Sequence, residues 1–202
     1  MGIKDTFRIH ILLIFAISIA WSLSLYPASC PEPKVQENFD IERFSGLWYE
    51  VQRTFALVEG GLKCATTVVS GASNKKMRAT FRRNGINILN RRVTLMRGYL
   101  HTPDAKAPAK LELVMGPLSL FLRYRVIDTN YDDYAVVWGC FESPKYSSIL
   151  GHTENLWILS RNKTIGEEFK QKIYGYLDSI NVSRAGLVDT NFENCTSQQY
   201  SG

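Results

Sequence analysis

Between Trp48 and Arg161 the chain is cut into short runs whose side chains alternate, and turn-forming residues separate most of them. A run that is apolar at every second residue suits a strand with one face buried. Many such runs in close succession leave an all-β sandwich or barrel as the architectures that fit. The runs are Trp48 to Phe55, Ala65 to Ser70, Met77 to Arg83, Ile86 to His101, Lys110 to Met115, Leu120 to Asp128, Tyr134 to Cys140 and Leu156 to Arg161, eight in all. Gly71-Ala72-Ser73-Asn74 closes the second, and Asn84-Gly85 after the third is a strong two-residue hairpin signal. Pro103 and Pro108 exclude a continuous helix from the loop before the fifth.

Alternation also assigns faces. Met77, Ala79 and Phe81 oppose Arg78, Thr80 and Arg82; Leu111, Leu113 and Met115 oppose Lys110 and Glu112; Leu122, Tyr124 and Val126 oppose Arg123 and Arg125. After the eighth run the period lengthens. Thr164-Ile165-Gly166-Glu167 has the form of a capping box, and Phe169, Ile173 and Leu177 then recur every four residues. That stripe predicts a C-terminal helix packed on the outside of the sheet. Glu167, Glu168 and Asp178 argue against a helix lying on a membrane.

The chain begins differently. Lys4 and Arg8 precede an apolar run from Ile9 to Ala20, which reads as a secretory signal peptide over residues 1–24, with cleavage somewhere in 20–29. The run is shorter than the ~20 residues of a bilayer span, and nothing later is apolar for longer, so the mature protein is expected to be soluble and extracellular. In that compartment four cysteines suggest two disulfides. Cys30, Cys64, Cys140 and Cys195 contain no C-x-x-C pair, which argues against a zinc or redox site, and their spacing leaves three pairings open. Sequons at Asn162, Asn181 and Asn194 fit the same compartment. The net charge of +5 is mild. Arg82-Arg83 and Arg91-Arg92 are the nearest approach to a basic stripe, and both read as solvated exterior, so no nucleic-acid partner is expected.

Three motifs lift this reading from a fold class to a family. Phe44-Ser45-Gly46-Leu47-Trp48-Tyr49-Glu50 resembles the G-x-W motif that opens the first strand of lipocalins after a short helical turn. Asp128-Thr129-Asn130-Tyr131-Asp132-Asp133-Tyr134 resembles the T-D-Y loop of that family, with Asn130 where aspartate is usual. Leu156-Trp157-Ile158-Leu159-Ser160-Arg161 resembles the third motif, which ends in arginine. Cys30-Pro31-Glu32-Pro33 and Val35-Gln36-Glu37-Asn38-Phe39-Asp40 extend the likeness toward the apolipoprotein D, bilin-binding and Lazarillo-type members. The resemblance covers residues 30–195 and leaves 196–202 as a tail.

The resemblance implies an eight-stranded antiparallel up-and-down barrel, with Cys30 bonded to Cys140 and Cys64 to Cys195. At its closed end Trp48 is expected to fill the floor. Arg161 should lie over the indole and donate to nearby carbonyls, and Gly46 should allow close approach. Such a barrel has room for one small ligand. With Arg161 inward, Leu159 and Trp157 share its face; strand parity adds Tyr124, Val126, Leu113, Phe81 and either Val136 or Trp138. The implied activity is non-covalent carriage of a fatty acid, a steroid-like lipid or a tetrapyrrole, without catalysis, metal or cofactor. Two alternatives remain: an isomerase using a free Cys64 thiolate, and a protein that binds a receptor or lipoprotein through tips such as Gly60-Gly61 and Tyr146-Ser147-Ser148.

Overall fold

The computed structural model describes residues 29–54, 61–73, 78–116, 120–142 and 152–195. The expected signal peptide, the tail at 196–202, Phe55, Met77 and the tips at Gly60 and Tyr146-Ser147-Ser148 lie outside the described residues. By its contacts the chain divides into two units. Cys30–Phe141 with Thr153–Gly202 carries the barrel; of Met1–Ser29 with Glu142–His152, Ser29, Glu142 and His152 are described.

A one-turn helix, α1 (Ile41–Phe44), is capped by the Asp40 carboxylate, which accepts from the Glu42 and Arg43 amides. Eight strands follow: β1 (Gly46–Thr54), β2 (Leu62–Ser73), β3 (Arg78–Asn87), β4 (Val93–His101), β5 (Lys110–Met115), β6 (Leu120–Thr129), β7 (Tyr134–Glu142) and β8 (His152–Ser160). Each pairs antiparallel with its sequence neighbours, β8 pairs with β1 and β1 with β2, so the ring closes as the sequence implies. Helix α2 (Glu167–Ser179) and a short strand β9 (Leu187–Asp189) complete the chain. No sequence signal announced β9. It pairs with Gln52–Thr54 of β1, while β2 pairs with Gly46–Tyr49, so two strands share one edge of β1.

Two local expectations are corrected. The Asn84-Gly85 pair is not a turn: β3 runs through it, with Asn84 opposite Leu95 and Gly85 opposite Thr94. The reversal comes at Ile88–Asn90, where the Asn87 side chain accepts from the Leu89 and Asn90 amides and Asn90 accepts from Arg92. Arg91 takes the left-handed conformation there, at φ 57°. Nor is there a capping box on α2. Its N-cap is Gly166, with no side-chain bond, and Glu167 instead accepts from Gln171 one turn on.

Apolar burial falls into two clusters. The inner one fills the barrel around Trp48, Leu111, Tyr124, Val126, Val137 and Leu159. The outer one lies under α2, where Ile173 and Leu177 are fully buried against Val136, Trp138, Leu156 and Ile158. Strand β7 therefore has both faces covered. The N-terminal segment is strapped along β6. Gln36 donates its amide to the Val126 carbonyl and accepts from the Thr129 amide, and Glu32 is held by Arg123 at 2.9 Å and Arg125 at 3.1 Å.

Candidate functional site

The closed end is built from the three motifs. Trp48 is fully buried and donates its indole N–H to the Phe44 carbonyl at 2.8 Å. The Arg161 guanidinium lies 3.5 Å from the Trp48 ring centroid. It donates to the carbonyls of Leu47 (2.8 Å), Tyr131 (3.0 Å), Ser45 (3.0 Å) and Arg43 (3.2 Å). Gly46, at φ 106°, leaves space for it: a Cβ there would sit 3.1 Å from Arg161 Nη1. Thr129 Oγ donates to the Tyr134 carbonyl and accepts from the Tyr131 amide. Asn130 makes use of its amide. Its carbonyl accepts from the Asp133 and Tyr134 amides, and its NH2 donates to the Asp133 carboxylate at 2.7 Å, a bond that an ionised aspartate at this position could not make.

Above the plug lies a cavity of about 200 Å³, far larger than the water-sized gaps of ordinary packing. One wall is aromatic: Tyr124 and Trp157 stack at 6.5 Å with an interplanar angle of 22°, and Phe81 meets Tyr124 edge-on at 6.0 Å. Leu113, Leu122, Leu159, Met96 and Met115 supply aliphatic surface. Gly139 makes the Trp157 position possible, since a Cβ there would lie 2.6 Å from the ring.

The lining also holds a buried ion pair. Glu50 accepts from Arg83 Nε at 2.6 Å and Arg83 Nη2 at 2.7 Å, and from the Thr67 hydroxyl at 2.9 Å. Burial raises the Glu50 pKa, but the Arg83 charge and hydrogen bonds, the Thr67 bond and Arg53 outweigh it and leave the carboxyl below its ordinary range. The pair is thus ionised and largely satisfied by itself. The Tyr124 hydroxyl is different: no described residue hydrogen-bonds it. Burial first, and then the Glu50 carboxylate, push the phenol strongly upward, so at neutral pH it is a neutral donor.

Of the residues read from sequence, Phe81, Leu113, Tyr124, Trp157 and Leu159 come together on this cavity. Val126 points inward but is part of the packed interior beside it. Val136 and Trp138 are corrected. They face α2, and Trp138 donates to Glu154 at 3.0 Å, while Ala135, Val137 and Gly139 take the inner face of β7. Alternation could not choose, because helix cover makes the outer face as apolar as the inner. Glu50, Thr67 and Arg83 were missed. The expectation that Arg83 is solvated exterior is corrected: parity with Phe81 turns it inward, against what its charge alone suggests.

The flanking segments are tied by disulfides, Cys30 to Cys140 on β7 and Cys64 on β2 to Cys195. Cys64 stands at φ 55°, within a register shift of β2, and its amide donates to the Asn191 carbonyl. Asn162, Asn181 and Asn194 are all exposed.

A closed meander, plugged by a tryptophan under an arginine and hollow above, defines the calyx class of β-barrels. No protein-family model matches the chain. Among curated proteins, apolipoprotein D of Cavia porcellus is 30% identical over 171 residues, spanning 82% of this chain and 84% of that protein. Insecticyanin-B of Manduca sexta is 26% identical over 190 residues, spanning 91% and 86%. The solved structure of insecticyanin from Manduca sexta superposes with a TM-score of 0.68 at 25% identity, over 84% of this chain and 89% of that one. The chain belongs to the lipocalin family, among its apolipoprotein D-like members.

Proposed function

We propose that the protein is a secreted carrier that holds one small, flat, uncharged and largely apolar molecule non-covalently in the cavity. The observation that carries this reading is the Tyr124 phenol, a donor on the cavity lining that no described residue hydrogen-bonds, set in an aromatic wall. A wholly apolar ligand would strip water from this hydroxyl and leave it unbonded, at a cost, whereas a ligand carbonyl, hydroxyl or ether would accept from it. The Glu50–Arg83 pair brings no net charge, and at the phenol Glu50 outweighs Arg83. A free carboxylate is therefore poorly served there. Among fatty acids, steroid-like lipids and tetrapyrroles, a neutral ring system with one polar end fits best. Cys64, bonded to Cys195, has no thiolate to offer, which weighs against the isomerase alternative.

The basic start followed by Ile9 to Ala20, and three exposed sequons, support secretion. Sequencing the N terminus of protein released by eukaryotic cells, before and after glycosidase, tests both points. An uncleaved chain retained in the cell would overturn this part.

Ligand class is tested by titrating Trp fluorescence with a steroid ketone, its ring hydrocarbon and a long-chain fatty acid. The ketone should bind most tightly. Tyr124→Phe should weaken it by roughly fivefold to tenfold, the worth of one hydrogen bond, and leave the hydrocarbon unchanged. Tighter binding of the acid, or a ketone affinity untouched in Tyr124→Phe, would sink the neutral-ligand reading.

A further inference from the structure

The net positive charge of this chain comes from one stretch of its sequence. From Gly60 to Pro103 the sequence contains nine lysines and arginines and no aspartate or glutamate; elsewhere 15 basic residues are outnumbered by 19 acidic ones. That stretch spans β2, β3 and β4. On the outer surface Arg82 stands directly opposite Arg97. Arg91 and Arg92, at the β3–β4 turn, are exposed. Arg91, Arg92 and Arg97 form no ion pair among the described residues.

The same turn exposes apolar side chains. Leu89 is 80% exposed, Val93 61%, Ile88 55% and Leu95 41%. No described segment covers them, whereas α2 and the strapped N-terminal segment cover parts of β6 to β8. Strand register fixes where the turn lies. Thr67 of β2 pairs with the plug residue Trp48, and Leu62, five residues earlier, pairs with Asn87. The Ile88–Asn90 turn is therefore at the end of the barrel away from the plug, on the side of the cavity mouth.

An apolar tip flanked by arginines has the chemistry of an interfacial anchor. The apolar side chains enter the acyl boundary while guanidinium groups sit among phosphates. A sulfated polysaccharide or a nucleic acid would engage the arginines and leave Ile88 and Leu89 in water. We propose that the β3–β4 hairpin docks the mouth of the barrel onto anionic lipid bilayers, so that ligand passes between membrane and cavity without crossing bulk water. The docking surface stands on its own residues, while the passage of ligand rests on the carrier reading above.

The test is sedimentation of the full secreted protein with vesicles of phosphatidylcholine, with or without about one-third phosphatidylserine. Binding should require phosphatidylserine, fall with rising salt, and drop about tenfold or more in Arg91→Glu/Arg92→Glu, since each cation contributes several-fold near an anionic surface. Ile88→Ser/Leu89→Ser should also weaken it. Both variants should melt as wild type does, because the altered side chains are exposed. As a second readout, the indole introduced by Leu89→Trp should shift its emission to the blue on phosphatidylserine vesicles and be quenched by brominated acyl chains. Equal binding to neutral vesicles, an emission unshifted by vesicles in the Leu89→Trp variant, or vesicle binding indifferent to Ile88→Ser/Leu89→Ser would overturn the proposal; the last, with retention on heparin, would assign the arginines to a soluble polyanion.

Discussion

Arg161 joins three separate parts of the chain, because its guanidinium bonds carbonyls of α1, of the start of β1 and of the β6–β7 loop while covering Trp48. Arg161→Ala would leave several partly buried carbonyls without donors. The expected loss is about 3 kcal/mol or more, read from chemical denaturation; a loss under ~1 kcal/mol would mean that water replaces the guanidinium freely. Arg83 poses a sharper case. Arg83→Met would strand the Glu50 carboxylate in the interior, at a cost of about 3–5 kcal/mol, whereas Glu50→Gln/Arg83→Met should recover much of it. A double mutant no more stable than Arg83→Met would contradict this account. The pH dependence has a definite sign. Glu50 titrates lower in the folded chain than its ordinary value of 4.5. Its stabilisation is complete above that ordinary value and disappears as pH falls through the lowered folded one. Glu50→Gln should therefore flatten the acid limb of a stability–pH curve without removing it, since Glu32 also titrates low, through Arg125, Lys110 and Arg123 acting against burial. At this scale, sequence showed the plug residues, which announce themselves by type and spacing. It hid the ion pair, because the parity that turns Arg83 inward with Phe81 is opposed by the charge of the residue, which argues for solvent.

Strands were legible where one face meets water and the other meets the core, as in β5 and β6. They were ambiguous where another element removes that contrast. Strand β7 lies between cavity and α2, so its period carries no polarity. Its small inward residues, Ala135 and Gly139, are the mark that the larger side chains belong outside. Gly139 allows a direct check. Gly139→Ala forces Trp157 to move, and should cost about 1–3 kcal/mol of stability as overpacking does, with a changed Trp fluorescence spectrum. A silent Gly139→Ala would mean that Trp157 does not press on β7. The Asn84-Gly85 pair failed as a turn signal because the dipeptide acts through its neighbours, and Asn87 to Arg92 offers the backbone more side-chain bonds. Strand β9 was invisible for another reason: three residues carry too little pattern, and their pairing depends on β2 having left that edge.

For the whole molecule, cover is uneven. The helix, the N-terminal strap and the Cys30–Cys140 bond reinforce β6 to β8, while β3 and β4 have solvent on their outer side. Hydrogen exchange should accordingly be faster in β4 than in β7, whose two faces are buried; equal protection would show that ring closure, and not cover, sets the local stability. The closure itself is divided between two partners. The plug half of β1 is joined to β2, but its outer half is joined to β9, a piece anchored by Cys64–Cys195 and by the Cys64 amide. A cask whose stave meets a full neighbour on one side only at the rim is held there by its hoop. Reduction of that one bond under native conditions would let the stave spring at the rim while the base stays sound, and the vessel would gape at its mouth before it lost its form.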